Sequence, residues 1–397
     1  IELTLFRFRG SSGQPDKTII TFFTLVVALP AILMLTYLAI NTASVLHYDS
    51  RDFTLTERVL TESRVLMFYL QMIIMPSVQE LGLYHDDFTL SRGLLDPPGT
   101  LLSLLSLAAL FFAALLLLVK RPLVSLGVLW FFAGHVLEST ILPLEIAHEH
   151  RNYLADYGIL LAASCAMAQA PLKKLAPLIQ IPVPALFILL FSYTTWLRSD
   201  QWSDNINHSI YEARHHPNSP RAIFSAGRIH ARLALEGHPG SKEQAFTHLE
   251  QARLLDNTGI MPNVTLIKLS YLLDEPANHV WFEDMIEKLS RHPISASDIS
   301  SLQILADCAQ SSCKIDPEIM ETLFNIALKK ANARLVSVYG FYTINNRGNF
   351  NKGLTLFEHA VELDPREPQY WKNLINLLTV MGRLDEAERQ LEQFKSA

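Results

Sequence analysis

The residues best suited to chemistry are Glu145-Ile-Ala-His-Glu-His-Arg-Asn-Tyr-Leu154, with Glu138 just upstream. Arg151 offers a planar fork of N–H donors that matches phosphate oxygens. His148 and His150 can donate to phosphate or move protons near neutral pH. Tyr153 is of the type that collects at membrane–water boundaries. Glu138, Glu145, Glu149 and Asn152 would orient these groups. Such a set could grip the phosphate or pyrophosphate of a lipid-linked donor. The plainer alternative is an interfacial loop of snorkelling charges with an internal Glu–Arg pair. A metal site at His148-Glu-His150 is poorly supported, because residues two apart do not share a helix face and the pattern is not H-E-x-x-H. No resident cofactor is expected, and a divalent metal has no support.

The cluster lies between long apolar stretches. The 397 residues are 49% hydrophobic and only 18% charged, against about a quarter charged in soluble domains. The shortfall is local: residues 101–119 carry no charge, whereas the chain from about 198 reads as water-soluble. The expected fold is therefore all-α, a polytopic transmembrane bundle over 1–197 followed by a helical domain over 198–397. Expected spans are 19–40, 101–119, 123–142, 157–172 and 181–197, each near the about 20 residues a bilayer requires. Arg7, Arg9 and Lys17, then Lys120 and Arg121, then Lys173 and Lys174 all fall on one side of such a bundle. Basic clusters stay cytoplasmic. Loops 41–100 and 143–154 and the tail then face outward, which for a bacterial inner membrane is the periplasm. A net charge of −6 and a pI near 6.2 leave no nucleic-acid footprint.

In the first outer loop, Val65–Met75 is apolar but short for a span. An interfacial helix over about 57–76 is expected, started by a capping box at Thr54-Leu-Thr-Glu57 and ended by Pro76. Arg58 and Arg64 would add contacts to an anionic headgroup, unless they are a solvated helix face. Asp86-Asp87 reads as a solvated loop before it reads as a catalytic or metal pair. The G-x-S-x-G, Walker and Rossmann patterns are missing from the sequence. Asn207-His-Ser and Asn263-Val-Thr fit the glycosylation acceptor pattern, which is common by chance.

The tail is helical by periodicity and repeats itself. Gly348-Asn-Phe, Phe357, Ala360 and Asp364-Pro365 precede Trp371, Gly382-Arg-Leu and Ala387. Gly348 and Gly382 lie 34 residues apart, the tetratricopeptide (TPR) period. The small residues are expected to let paired helices approach, and Trp371 and Phe357 to fill the gap between them. An earlier copy begins near Pro220, with Ala226-Gly227, Ala245, Leu249 and Ala252. Residues 258–333 are too degenerate to register. The tail is thus expected to be a TPR-like α-solenoid, clearest over 334–397. Cys165 reads as a packing residue, while Cys308 and Cys313 can pair in an oxidising compartment.

The motifs Glu138-Ser-Thr-Ile-Leu-Pro-Leu-Glu145, His148-Glu-His-Arg-Asn-Tyr-Leu154 and Thr56-Glu-Arg-Val-Leu-Thr-Glu-Ser-Arg64, set in this layout, resemble bacterial relatives of the transmembrane-and-TPR O-mannosyltransferases, which are GT-C-type glycosyltransferases. The layout covers the whole chain and the motifs a small part of it. The resemblance implies transfer of a sugar from a polyprenyl-phosphate donor to protein hydroxyls, with the TPR groove presenting the acceptor protein. The catalytic carboxylate of such enzymes usually lies in an earlier outward loop, so that role is not carried to Asp86 or Asp87. With Ile1 first and Ile1–Phe6 reading as the end of an apolar helix, earlier spans are expected upstream. Two alternatives stand beside this reading. One is an oligosaccharide ligase or polymerase using a lipid pyrophosphate. The other is a non-catalytic membrane-anchored TPR scaffold.

Overall fold

The computed structural model describes residues 8, 14–46, 48, 51–169, 181–329 and 332–396. Arg7, Arg9, Lys173, Lys174 and the end of the expected fourth span (170–172) lie outside these residues, so that part of the topology count does too. The described residues are all-helical, with 73% of the chain in helix and no strand. The chain divides into two compact units, Ile1–His216 and Pro217–Ala397.

The first unit contains α1 (Lys17–Ile40), α2 (Leu55–Ile74), α3 (Gly99–Leu117), α4 (Pro122–His135), α5 (Tyr153–Ala168), α6 (Pro182–Trp202) and α7 (Asn205–His215). Among the described residues, α1 and α3 are long and apolar enough to cross a membrane, and α4 is apolar but shorter. Side chains on α1 such as Leu33 and Leu35 stay exposed.

Helix α2 starts where its sequence dictates. The Thr54 side chain accepts from Glu57 N, and Glu57 closes the reciprocal bond to Thr54 N. It packs on α3, and α3 packs on α4. Helices α4 and α5 make the closest pair. A Cβ at Gly127 would collide with the Gly158 carbonyl, and one at Gly158 with the Gly127 carbonyl. Phe131, fully buried, fills the adjoining core with Leu70, Leu107 and Ala155. Burying one such side chain contributes about 1.5–3 kcal/mol.

Several boundaries differ from expectation. The helix expected over 123–142 ends at His135, and residues 136–148 run as turns and then irregular chain. Pro143, which lacks an N–H, lies in that loop, and the loop carbonyls are taken up by side chains instead. The helix expected from 157 starts at Tyr153, and the fifth runs to Trp202. The division between units falls after His216 rather than near 198. The reason is that α7 is tied to the α2–α3 loop: Leu83 N donates to Glu212 Oε2 at 2.8 Å and Tyr211 OH to Val78 O at 3.4 Å.

The second unit runs α8 (Pro220–Leu235), α9 (Ser241–Leu254), α10 (Met261–Leu272), α11 (His279–Arg291), α12 (Ala296–Ser311), α13 (Pro317–Leu328), α14 (Ala333–Asn345), α15 (Phe350–Leu363), α16 (Pro368–Val380) and α17 (Leu384–Ser396). The pairs α8/α9, α14/α15 and α16/α17 pack closely, and α10, α12 and α14 follow one another in contact. One core runs from Ala231 to Tyr342, and a second joins Leu354, Phe357, Trp371, Leu374 and Ala387. Trp371 Nε1 also donates to Pro365 O at 2.9 Å, fixing the link between α15 and α16.

Gly348 and Gly382 do not provide close helix approach. A Cβ on either would meet nothing within 4 Å, and their φ values are 63° and 74°. They end α14 and α16 in the left-handed region, where glycine carries no steric penalty. Close approach comes from Gly227, where a Cβ would lie 2.9 Å from Leu249, and Gly340, where it would lie 2.6 Å from the Phe357 ring. Cys308 and Cys313 are disulfide-bonded, with Cα atoms 5.1 Å apart. Cys165 is a free, half-buried thiol. Asn263 is fully buried and donates to Trp281 O and Asp284, so the folded chain does not offer it to a glycosylating enzyme.

Two consequences are measurable. Replacing Gly158 by Val should force α4 and α5 apart and lower stability by about 3 kcal/mol or more, read as a drop in the thermal midpoint of the purified protein. The same substitution at Gly93, where a Cβ has open space, should leave the midpoint within about a degree.

Candidate functional site

The organising side chain is Arg58 on α2. It is completely buried. Its Nη1 donates to Leu144 O at 2.6 Å, and its Nη2 donates to Glu138 O at 2.5 Å and lies 2.9 Å from Glu62 Oε1, one turn along the helix. Tyr48 OH donates to Ile141 O at 2.7 Å, and Arg51 Nε to Pro143 O at 2.8 Å. Carbonyls of a non-helical loop must find donors somewhere, and here side chains supply them. Burial lowers the Arg58 pKa and pushes the Glu62 carboxyl up to about 7, with Arg58 opposing that rise. Arg58 is therefore neither a solvated residue nor a free headgroup contact: its donors hold residues 138–145.

The loop then positions the cluster. Arg151 Nη1 donates to Glu145 O at 2.7 Å, and its Nε lies 3.4 Å from Glu138 Oε2. His148 Nε2 is 2.6 Å from Glu145 Oε2. Burial lowers the His148 pKa, and Glu145 opposes this. Tyr69 OH donates to His148 O at 3.0 Å and accepts from His148 N at 2.8 Å. The Tyr69 ring stacks on His135, with centroids 5.5 Å apart. With Asn152 Oδ1 accepting from His135 Nε2 at 3.1 Å, His135 Nδ1 is left to accept from Ser139 Oγ. His150 is exposed, its ring 4.7 Å from that of His148, and Tyr153 is exposed. Arg64 lies apart from this group, donating to Thr89 O at 2.7 Å and covering the Phe88 ring.

A second polar line runs along the α2–α3 loop. His85 Nε2 and Arg198 Nη2 each lie 3.3 Å from Glu149, on its two carboxylate oxygens. Arg198 Nη1 also donates to Leu81 O. Asp87 bonds His216 Nδ1 at 3.1 Å, so Asp86-Asp87 is not merely a solvated pair. The hydrogen bond that Asp87 accepts from His216 raises the His216 pKa, and burial opposes it. Among the described residues, no three His, Cys, Asp or Glu side chains are placed to hold a metal ion.

Between α2, α5 and α6 lies a cavity of about 270 Å³. Phe68, Met72 and Phe191 are among its apolar walls, and Glu149, Asn152, Asp156, Thr194 and Arg198 are among its polar groups. The sequence singles out Glu62 only within the Thr56–Arg64 motif, gives His135 no role, and leaves Tyr69, His85, Asp156 and Arg198 unmarked. Arg58, Glu62 and Tyr69 recur at helical spacing, which marks one face and could have revealed them. His85 and Arg198 carried no such local signal.

The sequence matches no protein-family model and no curated protein.

Two tests address this geometry. Arg58→Met leaves Glu62 buried without its cation and the Glu138 and Leu144 carbonyls without their donor. A loss of about 3–5 kcal/mol is expected, read as the thermal midpoint, with Arg58→Met/Glu62→Leu recovering part of it. The His216–Asp87 pair depends on pH. Because its folded pKa is raised, His216 contributes stability that is fully present below its unfolded value of about 6.5. That contribution is lost as pH rises through the folded value. Amide exchange across residues 78–88 should therefore speed up beyond the intrinsic rate as pH rises above about 6.5, and His216→Phe should abolish the extra change.

Proposed function

We propose that this protein is a membrane glycosyltransferase of the GT-C type. It moves a sugar from a polyprenyl-phosphate-linked donor to Ser or Thr of an acceptor protein at the outer face of a bacterial inner membrane. The observation that carries the reading is the loop 138–154, a dense set of ionisable groups held rigid by Arg58 beside an apolar-walled cavity at one end of a helix bundle. Ionisable groups near a membrane are costly and mark function by default. Small-molecule sites combine apolar walls with a few placed polar groups.

In this reading the donor phosphate lies against His150 and Arg151, whose guanidinium Glu138 and the Glu145 carbonyl aim. His148 and Tyr153 flank it. Arg58 acts as a positioning residue, and Arg64 steadies the α2–α3 loop. The second unit is the TPR-like solenoid of the protein. Its 34-residue spacing and paired helices supply a groove for the acceptor, and its disulfide suits an oxidising periplasm.

The test is mass spectrometry of envelope glycoproteins from cells with and without the gene. Loss of a hexose-sized adduct at specific Ser or Thr sites is expected, and Arg151→Ala should reproduce it with normal protein levels. An adduct of several sugars would instead indicate an oligosaccharide ligase. Unchanged glycoforms would sink the transferase reading in favour of the scaffold.

A further inference from the structure

The cavity between α2, α5 and α6 contains a charge pattern that the phosphate cluster does not explain. Asp156 sits in the first turn of α5, and its Oδ1 is buried with no hydrogen-bond partner among the described residues. A buried acceptor left unmade costs free energy that a donor from a ligand would recover. The cavity's cation is already committed: Arg198 pairs with Glu149 and donates to Leu81 O. Thr194 Oγ1 donates back to Leu190 O, so the face it turns to the cavity is an acceptor. The lining thus offers acceptors beside apolar walls. A phosphate would meet two carboxylates there. A neutral hydroxylated ring would meet the acceptors it needs, and a volume of about 270 Å³ suits a single ring and the start of a chain rather than a whole lipid.

We propose that this cavity binds the sugar ring of an amphiphilic glycoside. A ring hydroxyl donates to Asp156 Oδ1, and the adjoining chain lies on Phe68, Met72 and Phe191. This rests on the lipid-linked-donor reading and assigns the sugar end of that ligand to the cavity, leaving the phosphate end to the rim at His150 and Arg151. Asp156 is a binding residue in this assignment.

The experiment uses the whole chain in lipid nanodiscs. The probe is an alkyl β-glucoside with a photoreactive diazirine near the head of its chain. Labelling should map to peptides of α2 and α6. Unlabelled octyl glucoside should compete at concentrations about tenfold below those needed for an alkyl phosphate of equal chain length. Asp156→Leu should weaken the glucoside about tenfold, the loss of one hydrogen bond. Asp156→Asn, which keeps an acceptor oxygen, should weaken it less. Phe191→Trp, which fills the cavity without touching Asp156, should abolish labelling. Equal competition by the phosphate, or labelling indifferent to both Asp156→Leu and Phe191→Trp, would overturn the assignment. Binding is read here without sugar transfer, so unchanged glycoforms in cells and failure of this binding are separate results.

Discussion

A single buried guanidinium underlies the geometry of the first unit. Arg58 cannot leave its place without stranding the Glu62 carboxylate and freeing the carbonyls of Glu138 and Leu144. A buried ion pair adds little net stability, but removing one partner is expensive. The pair therefore fixes geometry. It holds the loop from Glu138 to Leu144 against α2, where Glu138, Glu145 and Arg151 meet.

The ties around Arg58 differ in kind. Tyr69 reads the His148 backbone from both sides, donating to its carbonyl and accepting from its amide. His135 links α4 to Asn152 at the entrance of α5. The α2–α3 loop is held separately, through His85 and Arg198 on Glu149 and through His216 on Asp87. The cluster itself is thus assembled from α2 and α4, while its cavity side depends on α6.

Much of this was legible from local pattern and some was not. The capping box at Thr54 and Glu57 set the start of α2, and Pro365 and Trp371 marked the passage between α15 and α16. What failed was orientation. Arg58 looks like part of a solvated helix face, because charge normally faces water, yet it turns inward with its partner Glu62 and donates to loop carbonyls 80 and more residues away in sequence. Gly348 and Gly382 look like packing residues by repeat position but serve as helix terminators with positive φ. Arg198 and His85 could not be assigned, since their partner Glu149 is brought to them only by the finished fold. The boundary near 198 followed composition, whereas the unit boundary follows the contacts of α7.

The contact between Gly127 and Gly158 has a further implication. It is made by backbone, each carbonyl lying where the other residue's side chain would be. Close backbone approach of this kind draws on dispersion and on weak Cα–H···O bonds rather than on removing apolar surface from water. In hydrocarbon, where lipid tails are as apolar as leucine, that is the kind of attraction that remains. The α4–α5 contact therefore rests on shape, beside the apolar burial of Phe131.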